Sequence, residues 1–129
     1  MKIGALIARI LMGFMFVVFG SNAFLHFIPT PPLPPTPAGQ WVGAMIASHY
    51  FVVVGAAQVI GGLLLVIGRF VPLGLAILGP VIVNILSYHL LMDSKGLGGA
   101  LVVAVLWLFL FYAYRDNFKT MFAAKADAH

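Results

Sequence analysis

Three histidines, with an amide and a phenol close by, are the residues of this chain best suited to chemistry: His26, His49 and His89, with Asn84 and Tyr88. A neutral imidazole can ligate haem or another tetrapyrrole, or donate a hydrogen bond to a quinone carbonyl. Asn84, Tyr88 and His89 share one short apolar stretch, while His26 and His49 flank a proline-rich segment. Both placements fall toward one side of a membrane bundle, so these five form the candidate cofactor-binding set. Asn22 can join the same outer polar cluster. A bis-histidine haem would require two of the rings to face each other at matching depth. His49 precedes Gln58 by nine residues, about half a rotation on a 3.6-residue repeat. A straight helix therefore cannot turn both toward one core.

Arg9 and Gln58 are polar residues with a structural reading. Arg9 lies two turns inside the first apolar stretch, and no Asp or Glu falls within any apolar stretch to neutralise it. A charge at the bilayer centre costs about 2.5–3.5 kcal/mol on insertion scales. Arg9 can escape that cost by snorkelling to the headgroups. Alternatively it points inward along Gly13, Phe16 and Gly20, bonding Gln58 or backbone freed near Pro80. Those stripe positions lie within about 40° of one another on a helix. The chain has no paired carboxylates, no nucleophile motif, no phosphate-binding glycine loop and no metal-ligand set. No catalytic residue is expected.

The elements that must position these residues are membrane helices. The 129 residues are 63% hydrophobic and 8% charged, against about a quarter charged in soluble domains. About 20 apolar residues cross a bilayer as a helix, so four crossings use nearly the whole chain. The expected fold is all-α, a single membrane domain over 1–129 with helices at 3–27, 41–67, 72–92 and 97–114 and an interfacial tail at 115–129. The first helix reads as a retained anchor, being longer than a signal-peptide core and without a convincing cleavage site. The absence of cysteine excludes disulfides, thiol redox chemistry and iron–sulfur ligation. The net charge of +4 sits at helix ends, as topology determinants and anionic-lipid contacts require, so no nucleic-acid partner is expected.

Residues 29–37 hold six of the eight prolines and should form a stiff, extended outer loop between the first two helices. The second helix carries a small-residue stripe, Ala44, Ser48, Gly55 and Gly62, suited to close packing. Gly68 to Pro72 turns the chain, and Pro80 should kink the third helix. Trp107 to Tyr114 forms an aromatic belt, and the tail places Phe118, Met121 and Phe122 on one helical face. Lys2, Arg69, Arg115, Lys119 and Lys125 share one side against Lys95 on the other. The positive-inside rule then places both termini in the cytoplasm, with a bacterial cytoplasmic (inner) membrane as the expected location.

The stripe Arg9, Gly13, Gly20, the run Gly61-Gly62-Leu63-Leu64-Leu65-Val66-Ile67-Gly68, the short basic turn and the Pro/Gly-bearing third helix form a pattern. It resembles the DoxX-like family of small four-helix membrane proteins, over residues 3–116. That family is named for a subunit linked to thiosulfate:quinone oxidoreduction, and other members look like partners in membrane oxidoreductase assemblies. Members often carry Glu shortly before the Gly-Gly run, where this chain has Gln58. They often carry Lys after the glycine of the first helix, where this chain has Ser21-Asn22-Ala23. An acid–base pair that the resemblance implies is replaced by neutral amides.

The expected function is an accessory, structural subunit of a larger electron-transfer complex, oxidoreductase, respiratory or photosynthetic, without catalysis of its own. Its partners would be membrane lipids and other membrane subunits. The alternatives are a subunit binding quinone or tetrapyrrole and a small-solute transporter. For transport, only Gln58, Asn84 and the Pro80 kink supply midplane features.

Overall fold

A bilayer offers no water to exposed peptide groups, so a spanning segment must pair its own backbone, and this chain does so with helices. The computed structural model describes residues 1–29 and 32–128; Thr30 and Pro31 of the proline segment and His129 of the tail lie outside them. The helices are α1 (Lys2–Leu25), α2 (Pro37–Ala47), α3 (Tyr50–Ile67), α4 (Val71–Leu91) and α5 (Leu97–Ala113), with no strand among the described residues. A 3₁₀ turn at Ser94–Gly96 leads into α5, and Arg115–Phe122 continues from it as a 3₁₀ helix. Four segments are long and apolar enough to span: Lys2–Leu25, Tyr50–Ile67, Val71–Leu91 and Ser94–Ala113. The protein is an integral, multi-pass membrane protein.

One expected helix is two. The stretch 41–67 breaks at His49, which takes left-handed backbone angles with φ 61°, a conformation costing a non-glycine residue about 1–2 kcal/mol. The Ser48 hydroxyl supports the break by accepting the Tyr50 N–H at 3.3 Å. Apolar periodicity runs through the break undisturbed, so the pattern hides it. At its other end α2 starts inside the expected proline loop. Pro37 occupies the first turn, where its missing N–H costs nothing, and the Thr36 hydroxyl accepts the Gly39 N–H at 3.3 Å as an N-cap.

The spanning helices form a ring in which α1 packs on α3, α3 on α4, α4 on α5, and α5 returns to α1. One end of the bundle, the terminal end, gathers Met1, Lys2, Tyr114 and Arg115. The other, the loop end, carries α2 and the Met92–Gly96 connection. Glycines set the closest approaches. A Cβ at Gly13 would lie 2.7 Å from the Gly62 carbonyl oxygen, and one at Gly62 would lie 2.7 Å from that of Gly13. Gly20 and Gly55 repeat this seven residues along each helix, at 2.8 and 2.7 Å. The other side of α3 meets α4 through Gly61, where a Cβ would fall 2.7 Å from Leu78 Cγ. Ala44 and Ser48 drop out of the expected stripe because they precede the break, and both are exposed.

The core sits toward the terminal end, where Met12, Leu65, Leu75, Leu78 and Leu110 are fully buried. Trp107 ties α5 to α4: its indole N–H donates to the Leu75 carbonyl at 2.9 Å, one residue before the carbonyl facing the missing N–H of Pro80. The tail turns Phe118 and Phe122 toward the same ring, Phe111, with Phe122 edge-on at 6.2 Å. Phe118 is buried against Phe111, with ring centroids 4.7 Å apart, whereas Met121 and Phe122 are exposed.

Candidate functional site

The loop end is open on both flanks of α3, beside the break at His49. On one flank a groove of about 620 Å³ runs between α2, α3 and α4. Its walls are mostly apolar, with Trp41, Met45, Phe51, Val54, Val81 and Ile85 interrupted by Ser48, Gln58, Asn84, Tyr88 and His89. Its volume falls in the range of pockets for small organic ligands, about 300–1,000 Å³. Trp41 and Tyr88 hold the mouth, with ring centroids 5.2 Å apart and planes tilted by 36°. Phe51 meets Trp41 edge-on at 6.3 Å.

The polar groups of this groove have defined hydrogen-bonding capacity. Asn84 is exposed on α4 and donates one amide hydrogen to the Pro80 carbonyl at 2.9 Å, leaving its second hydrogen and its oxygen available. His89 Nδ1 lies 2.9 Å from the Asp93 carbonyl oxygen. A carbonyl only accepts, so Nδ1 carries the proton of this contact, and Nε2 is the ring atom left to face the groove. The ring also presses on Gly96, where a Cβ would collide with it. His89 is thus clamped across the α4–α5 connection. Asn84, Gln58 and Tyr88 supply further donors to the groove.

The other flank holds a second cavity, of about 400 Å³, lined by Asn22, His26, His49 and Gln58 among apolar residues of α1, α2 and α3. The three histidines therefore do not form one cluster. His26 and His49 share this cavity, His89 lies in the groove, and α3 stands between. Among the described residues no three His, Cys, Asp or Glu side chains gather to hold a metal. His49 and Gln58, which a straight helix would set on opposite faces, line the same cavity, because the helix is not straight. Asn22 is committed locally: its side-chain oxygen accepts the Ile28 N–H at 2.7 Å and closes the left-handed turn at His26.

Arg9 follows neither expected route fully. It does not reach Gln58, which packs at the level of Gly20, eleven residues and about 16 Å further along α1. Instead the guanidinium lies against Gly68 at the α3–α4 turn, where a Cβ would sit 2.9 Å from Cζ. Nη1 donates to the Tyr114 hydroxyl at 3.4 Å, a long and weak bond. The buried Nε has no hydrogen-bond partner among the described residues. A cavity of about 530 Å³ opens beside it, lined by Lys2, Arg9, Tyr114, Arg115 and Asp116. Asp116 is spoken for: Lys119 lies 3.1 Å from its carboxylate and, by hydrogen bond and charge, holds that carboxyl below its usual range.

Sequence reasoning missed two participants. Trp41 reads as an interfacial anchor until the break at His49 swings α2 onto the groove, and Tyr114 reads as one more belt aromatic. Neither carries a local signal. No protein-family model, curated protein or solved structure matches this chain.

Proposed function

We propose that this protein is an accessory subunit of a membrane electron-transfer assembly, of the DoxX-like kind, that holds a quinone-type ring in the groove between α3 and α4. The observation that carries the reading is the groove's chemistry: apolar walls, an aromatic mouth at Trp41 and Tyr88, and amide donors at Asn84 and Gln58. A quinone needs that combination, a flat ring to stack and carbonyls to accept hydrogen bonds. An amide exposed on a membrane helix also favours a covering ligand, since lipid tails cannot bond it. The role this reading gives the groove is to bind and position the ring.

The test is retention of a short-chain quinone by the purified full chain. Replacing Asn84 and Gln58 together by leucine (N84L/Q58L) should weaken binding at least tenfold while leaving the helical signal intact. Equal affinity for wild type and variant would reject the groove as the quinone site.

The cation distribution supports a cytoplasmic terminal end, with the groove in the outer leaflet. Because the chain lacks cysteine, single introduced thiols can test this. Ser94→Cys should react with a membrane-impermeant maleimide from outside intact cells, and Lys125→Cys only after permeabilisation. The opposite pattern would invert the topology.

A further inference from the structure

The cavity beside Arg9 has a chemistry that the groove does not share. Lys2, Arg9 and Arg115 border it, and its one carboxylate, Asp116, is engaged with Lys119 at 3.1 Å. The cavity therefore carries uncompensated positive charge at the end of the bundle. Arg9 is held in place from beneath by Gly68 and from the side by Tyr114. Its buried Nε is unpartnered among the described residues, which marks an under-neutralised cation. Donation from Arg9 Nη1 to the Tyr114 oxygen leaves the tyrosine's own proton free to donate onward. Arginine N–H groups and a hydroxyl proton converging from α1 and α5 suit a tetrahedral oxyanion.

We infer that the cavity between the ends of α1 and α5 is a phosphate-ester site, filled by the headgroup of an anionic phospholipid. It lies between the start of α1 and the residues that follow α5, and about 530 Å³ admits a glycerophosphate as well as the phosphate itself. Basic pockets between helix ends are a recurrent solution for anionic headgroups. Arg9 forms the deep contact, and Lys2 and Arg115, both exposed, form the rim, Arg115 with its guanidinium also bonded to the Tyr112 carbonyl at 2.8 Å and stacked on the Tyr112 ring.

The test uses the full chain in neutral detergent, titrated with phosphatidylglycerol, phosphatidylcholine or inorganic phosphate and followed by native mass spectrometry. Wild type should retain one phosphatidylglycerol at least tenfold more tightly than phosphatidylcholine. Arg9→Gln should abolish that preference. Because Arg9 also braces the Gly68 turn, a rim variant, Lys2→Gln with Arg115→Gln, provides a version expected to fold normally and lose at least about fivefold. Displacement of the lipid by millimolar inorganic phosphate would support the phosphate chemistry and assign it a soluble source; failure to displace it supports the lipid. Equal retention of both lipids, or unchanged phosphatidylglycerol retention in both variants, would overturn the site.

Discussion

The two ends of this bundle use α3 in opposite ways. Toward the terminal end its glycines bring backbones into contact, with Gly62 against Gly13 of α1 and Gly61 against Leu78 of α4, and the fully buried side chains gather there. Toward the loop end the same helix is flanked by two open cavities that meet at Gln58. The difference lies in what the sequence puts at each level. Small residues repeated every seven positions close an interface in which lipid gives no hydrophobic drive. At the other end the left-handed residue His49 breaks the helix before α3. The close α1–α3 seam runs on to Gly20 and Gly55, so the hollows of the loop end lie beside that seam and not across it.

Substitutions can break or sharpen this contrast. The largest effect is expected from Gly62→Ala, whose new Cβ would lie 2.7 Å from a backbone oxygen that cannot move aside. A loss of about 3 kcal/mol in detergent unfolding is expected, and a change below about 0.5 kcal/mol would mean that the α1–α3 contact is not tight. Trp107→Phe keeps the ring stacked on Phe111, where the indole lies at 5.2 Å, but removes the bond to the Leu75 carbonyl. It should cost about 1 kcal/mol, read from the same unfolding curve. Gly98→Ala should be the smallest: nothing lies within 4 Å of the added carbon. A gain of at most about 1 kcal/mol from helix propensity is expected, and a clear loss would reveal packing at the loop end.

The contrast was half visible in the sequence. The stripes Gly13, Gly20 and Gly55, Gly62 could be read directly, because seven-residue spacing of small residues is a periodic signal and survives into packing. The four spans were equally legible from apolar length. The hollow half was not, since it depends on a backbone choice at His49 that leaves the apolar pattern unchanged. That choice placed His49 in one cavity with Gln58 and brought Trp41 against Tyr88. Arg9 stood out as a lone charge in an apolar stretch, but its partner Tyr114 lies 105 residues away in the chain, beyond any local pattern.

The glycine contacts also set a clock. Gly20 and Gly55 are separated by 35 residues, a stretch that takes roughly 2–7 s to synthesise at about 5–20 residues per second. For that interval α1 resides in the bilayer with its glycine face against lipid, and it acquires its mate only when α3 arrives. The first helix must therefore be stable alone before it is useful in company, which its 24 apolar-rich residues allow.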